Sequence, residues 1–322
     1  MAITINHQTN DISNSTGAIT INDVAVGGDN TPKWYGARYV HAGGASTVNV
    51  MDYVTIQTTG NATDFGDLTV GRYLGGGTSD GSRGVFGGGY TGSNQDVIDY
   101  ITIGTTGNAT DFGNMSVARR GISSLSNGTR GVFAGGFTSG SSNIMDYITI
   151  STTGNAIDFG NLTQNNSDGG GGVCDGTIGV FHTAAGDDLY RTEKIIVATA
   201  GNATDYGALS YYFADGTSNI SDTTYGVFCA GLNQGSESRI ERITIATNGN
   251  GTDIGDLNTH NGALGGGGGD ASRGIVAGGD ASASGPSNVI QYLTISASSG
   301  NAADFGDLTR GVYRAAGGAA GT

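Results

Sequence analysis

Apolar residues come in short runs with a two-residue period, separated by clusters of Gly, Ser, Thr, Asn and Asp. In "DYITI" at 146–150, Tyr147 and Thr149 fall on one face and Ile148 and Ile150 on the other, as in a half-buried strand. "RGVFAGG" at 130–136 has the same strand character and ends on a glycine doublet. No window sustains a 3.6-residue apolar period, so the pattern predicts strands throughout and almost no helix.

The pattern repeats. "TTGNATDFGDL" at 58–68 returns at 105–115, 152–162, 199–209, 247–257 and 298–308 with few changes. Its aspartate stands at Asp64, Asp111, Asp158, Asp205, Asp253 and Asp304, in steps of 47, 47, 47, 48 and 51. "DYVTI" at 52–56 and "RYVHAGG" at 38–44 also begin series of six. A unit of about 47 residues with four short strands is the sequence signature of a propeller blade. Its third strand is the "DYVTI" type, and its last carries an aromatic at Phe65, Phe112, Phe159, Tyr206 and Phe305, with Ile254 as the exception.

These landmarks resemble the kelch-type β-propellers, on the doublets Gly43-Gly44, Gly88-Gly89, Gly135-Gly136 and Gly278-Gly279, the Tyr strand and the aromatic strand. The family's usual Trp is replaced by Phe, Tyr or Ile, so the chain is a divergent relative covering about 37–318. The resemblance implies a six-bladed all-β ring with the first strand of each blade innermost. The first unit lacks that strand and the last ends in a surplus one, so the N- and C-terminal strands are expected to pair, with 309–318 closing the ring.

Composition narrows the function. The formal charge of −14 repels phosphate backbones, and only Lys33 and Lys194 are lysines, so no nucleic-acid partner is expected. No apolar run approaches the ~20 residues of a membrane-spanning helix, so no membrane association is expected, and the N-terminus shows no secretory pattern. Cys174 and Cys229 read as small buried hydrophobes. The six aspartates of the repeated phrase read as caps on turn N–H groups rather than acids for catalysis. His41 and His182 fall in the first and fourth blades, and no metal-ligand spacing, hydrolase elbow or phosphate loop occurs. The Tyr–Cys cofactor and paired His of kelch-type copper oxidases cannot be placed either. The expectation is therefore a non-enzyme with no cofactor and no metal.

Where the copies diverge, binding is expected. The turns between first and second strands, and between third and fourth, share one face and are monotonous. The other face carries the b–c and d–a loops, with strands lettered a to d, and these differ from blade to blade. They supply the candidate ligand-binding residues Arg72, Arg119, Arg120, Asn165, Asn166, Tyr190, Arg191, Tyr211, Tyr212, Phe213, His260 and Asn261, expected around the mouth of the central channel. Aromatic rings beside arginines and amides suit sugars.

Residues 1–31 fit no repeat and read as an anchoring arm and linker with strands at 3–6 and 18–23, while 32–322 form the propeller. Such an arm before a Gly/Ser/Thr-rich ring resembles virion proteins of tailed phages of marine bacteria or cyanobacteria. That resemblance implies a virion location, on capsid or tail, many copies per particle, contact with other virion proteins through the arm, and host-surface glycan as the ligand. A cellular kelch-type binding domain or carbohydrate enzyme is the alternative.

Overall fold

The computed structural model describes the backbone of residues 4–6 and 11–13, and residues 33–167, 170–183, 190–211, 217–229, 238–259, 266–280 and 285–321 in full. Contacts divide the chain into Met1–Thr31 and Pro32–Thr322. In the first unit Thr4–Asn6 pairs antiparallel with Asp11–Ser13, Ile5 opposite Ile12. The expected strand at 18–23 lies outside the described residues.

The second unit is a six-bladed β-propeller with no helix among its described residues. Each blade is a four-stranded antiparallel sheet in the order a-b-c-d. In blade 2 these are Gly76–Ser79, Arg83–Gly87, Val97–Thr102 and Thr110–Asn114. The other inner strands are Ser123–Ser126, Gly172–Cys174, Ser218–Ser221, Gly267–Gly269 and, for blade 1, Gly317–Gly321. They touch one another in ring order, which makes strand a the innermost.

Closure follows the expected logic at a different register. Gly317–Gly321 pairs with Arg38–Gly44, Gly317 opposite Ala42 and Gly321 opposite Arg38. The segment 309–312 instead prolongs the outer strand of blade 6, Ala303–Val312, whose Val312 pairs with Ser287. The reason is room at the axis. A Cβ on Gly77 would lie 2.4 Å from the Gly318 carbonyl oxygen, and one on Gly317 2.6 Å from the Gly77 nitrogen. At this blade the residues facing Gly77 must lack a side chain, which "GGAAG" provides.

The core lies between blades rather than within them. Val40, Met51, Phe65 and Leu68 of blade 1 and its exit loop pack on Phe86, Ile101 and Ile103 of blade 2. The alternation in "DYITI" holds: Ile148 and Ile150 are buried, Tyr147 is half-buried and Thr149 exposed. The ring of Tyr147 meets Phe159 edge-on at 5.9 Å and takes the Arg130 guanidinium on its face at 4.4 Å. Equivalent Arg-on-Tyr contacts occur in blades 1, 2 and 6, and in blade 5 the two residue types exchange strands as Arg242 on Tyr225.

The repeated phrase is the joint. In each blade the turn before strand d adds to the outer edge of the preceding blade, as when Gly107 N–H donates to the Phe65 carbonyl and Ala109 N–H to that of Asp67. The turn's asparagine oxygen accepts the N–H of Asp67 (Asn108), Asn114 (Asn155), Asn161 (Asn202), Ala208 (Asn250), Asp256 (Asn301) and Asp307 (Asn61). At each joint a glycine of strand d faces turn backbone: a Cβ on Gly66 would sit 2.4 Å from the Gly107 oxygen. The asparagine, not the aspartate, is thus the cap. Asp64 and its five equivalents are exposed, and Asp253 alone among them accepts a backbone N–H, from Gly255. Covering each outer edge this way removes the open ladder that invites aggregation.

Candidate ligand-binding face

The loops that diverge in sequence begin with a conserved buried bond. Strand c carries, at one register, Asp52, Asp99, Asp146, Glu193, Glu241 and Gln291, all buried. Each accepts from the first residue or two of the loop leaving the previous blade. The hydroxyls of Thr309, Thr69, Ser116, Thr163 and Ser210 donate to the five acids at 2.7, 2.5, 2.7, 2.8 and 2.6 Å. In the sixth copy Gln291 Oε1 accepts the Asn258 N–H and Gln291 Nε2 donates to Thr259. Burial raises the pKa of Glu241, outweighing the hydrogen bonds from Ser210 and the charge of Arg239.

This clamp corrects three candidate assignments. Arg72 and Arg119 are fully buried, with Nη1 donating to Asp99 at 2.6 Å and Asp146 at 2.8 Å, and Nη2 to the carbonyls of Phe86 and Phe133. Their guanidinium groups neutralise the buried acids and never reach solvent. Asn166 is also fully buried: its carbonyl accepts the Gly136 N–H and its amide meets Ser123 Oγ. All three are parts of joints, not of a ligand site.

Arg120 is placed differently. The Tyr73 and Tyr90 rings meet edge-on at 5.6 Å. The Arg120 guanidinium lies 4.7 Å from the Tyr90 ring centre and 4.4 Å from that of Phe137. Backbone bridges link Tyr73 with Tyr90 and Arg120 with Phe137. The result is one ribbon, Tyr73, Tyr90, Arg120, Phe137, running across the loops of blades 1 to 3, every member half-buried. Asn94 braces it: its amide donates to the carbonyls of Phe137 and Thr138, and its oxygen accepts from Arg120 Nη1 at 2.9 Å.

The remaining candidates are scattered. Asn165 is exposed on the outer strand of blade 3. Tyr190 is 43% exposed beside Arg191, which pairs with Glu193 and Asp205. Tyr211 stacks under Arg239 at 4.6 Å, and Arg239 bonds to Asp253. Tyr212, Phe213, His260 and Asn261 lie outside the described residues. Tyr73, Tyr90, Asn94 and Phe137 were missed as site residues. The available signal was that Tyr90 and Phe137 each follow a glycine doublet, a point where strand b turns out toward the divergent face.

None of the twelve candidates lines the channel among the described residues. Its wall is the inner strands, with Leu74, Gly121, Arg314 and Ala315 at the divergent face. At the other end Trp34, the chain's single tryptophan, donates its indole N–H to Ser221 Oγ and lies against Gly176. The space within it, about 110 Å³, is below the ~300 Å³ where ligand pockets begin. His41 is buried, and burial together with Arg310 lowers its pKa to about 3, so it is neutral. Burial also pushes the Cys174 thiol up to about 12. Among the described residues no His, Cys, Asp and Glu cluster is arranged to hold a metal.

No protein-family model matches the chain, and no curated protein does.

Proposed function

We propose that the protein is a non-catalytic recognition ring that binds saccharide through the ribbon on its divergent face. In the same reading it is displayed in many copies on a tailed-phage virion and held there through residues 1–31. The observation that carries the reading is the contrast between the two parts of each blade. The joints repeat around the whole ring, while among the described residues the ribbon of three rings and one guanidinium is found on the loops of blades 1 to 3. Aromatic rings beside a braced polar group suit pyranose C–H faces and hydroxyls.

A shallow site of this kind binds weakly alone, and display on one particle multiplies apparent affinity by roughly 10²–10⁴. The test uses the full chain coupled to a tetravalent carrier and applied to purified surface polysaccharide. Binding by the tetramer, its loss in Tyr90→Ala with an unchanged fold by circular dichroism, and antibody labelling of virion particles in electron micrographs are expected. Undiminished binding by Tyr90→Ala moves the site elsewhere, and unlabelled particles remove the virion assignment.

A further inference from the structure

We infer that the ribbon selects saccharides bearing a carboxylate, with Arg120 as the receptor for that group; this rests on the saccharide reading above. Three features set Arg120 apart from Arg72, Arg119, Arg191 and Arg239. Arg72 and Arg119 are neutralised by Asp99 and Asp146, and Arg191 and Arg239 pair with exposed or buried acids. Arg120 has an amide oxygen as its partner and no carboxylate. Its remaining N–H groups have no protein acceptor and are not buried, so they reach solvent.

The group is also held in place. Two rings, Tyr90 and Phe137, lie within 4.7 Å of the guanidinium carbon and confine it. Asn94 spends both amide protons on the carbonyls of Phe137 and Thr138, which turns its oxygen toward Arg120 and fixes the rotation of the guanidinium. A planar fork with one edge occupied and the other free matches a planar carboxylate, which can accept two parallel N–H bonds. Of the five loops that align with this position, two carry Tyr73 and Tyr313 and three carry Ser167, Ala214 and Gly262, so the arginine is particular to this loop.

The protein's charge of −14 does not oppose such a ligand at contact. Beyond the Debye length of about 8 Å at physiological salt the acidic surface is screened, whereas the carboxylate meets the guanidinium at about 3 Å. A uronic or other sugar acid that lays its ring on Tyr90 or Tyr73 and its carboxylate on Arg120 satisfies every group in the ribbon.

The experiment is isothermal titration of the full chain with galacturonic acid trimer, the neutral galactose trimer and a triglutamate peptide. The acidic sugar is expected to bind about tenfold or more tightly than the neutral one, as one charge-assisted bidentate contact allows. Arg120→Gln should abolish that preference, and Arg120→Lys should retain part of it. Equal affinity for the acidic and neutral trimers overturns the carboxylate inference and leaves the saccharide reading standing. Triglutamate binding as tight as the sugar acid overturns the inference in favour of an acidic peptide. Failure of both sugars to bind, even on the tetravalent carrier, removes the saccharide reading itself.

Discussion

Replacing Asp146 by Asn isolates the clamp between blades 2 and 3. The shape of the side chain is kept and its charge removed. In the parent, Asp146 accepts from Ser116 N–H at 3.3 Å, Ser116 Oγ at 2.7 Å and Arg119 Nη1 at 2.8 Å, with both side chains of the ion pair fully buried. The amide can still accept from Ser116, but Arg119 is left as a buried cation without a counter-charge. Burial already lowers the Arg119 pKa, with Asp146 acting in the opposite direction. Removing one partner of a buried pair costs about 3–5 kcal/mol. For a ring of this size each kcal/mol lowers Tm by about 2 °C, so a fall of about 6–10 °C is expected by scanning calorimetry. Adding Arg119→Met should restore most of it, because the uncompensated charge is gone. The loss should change little between low and high salt, as screening barely reaches a buried pair. A Tm for Asp146→Asn within about 1 °C of the parent refutes the assignment of Arg119 and Asp146 as a load on the joint.

Two further perturbations use the differences between copies. Glu241→Gln imitates the sixth blade, where Gln291 already fills this register. Burial raises the Glu241 pKa, so the folded chain holds that proton more tightly than the unfolded one. The parent therefore loses stability as pH rises above the ordinary glutamate value of about 4.3, and the variant lacks that slope. Melting curves from pH 3.5 to 7.5 should show Glu241→Gln at least as stable as the parent at neutral pH and equal to it at the acid end; a less stable variant at neutral pH contradicts this. Deleting 317–322 removes a strand of five paired residues, the burial of Ala319 and Ala320, and the bond from Ser79 Oγ to the Ala320 carbonyl. At about 0.5–1.5 kcal/mol per ladder bond the truncated ring should melt far lower or aggregate through the exposed edge of Arg38–Gly44, and an unchanged Tm and solubility contradict closure at that strand.

Blade number, strand order and the half-buried strand faces were legible because period and alternation are direct consequences of stacking blades around an axis. The closing strand was misplaced for a physical reason. Apolar alternation marks strands that pack against a neighbouring sheet; the inner strand of blade 1 meets the Gly77 backbone directly, so its signature is the lack of side chains in "GGAAG". The arginines were misread because a charged residue in a loop is usually at the surface. Arg72 and Arg119 each find an acid 27 residues later on strand c, a constant separation that the sequence does contain. The Asn of the repeated phrase was passed over for the Asp beside it, since the bond that Asn makes crosses to another blade. Arg120 was placed on the divergent face, while its ring partners come from loops 17 to 30 residues away and show no motif together.

The most direct measurement of recognition at the ribbon is amide chemical-shift mapping of the isotope-labelled full chain during titration with galacturonic acid trimer. The amides of Tyr73, Tyr90, Asn94, Arg120 and Phe137 are expected to shift together along one saturation curve, while those of the joint asparagines Asn61, Asn108 and Asn155 stay fixed. Shifts confined to the joints or to Trp34 and the channel wall, or none at saturating sugar, contradict recognition on this face.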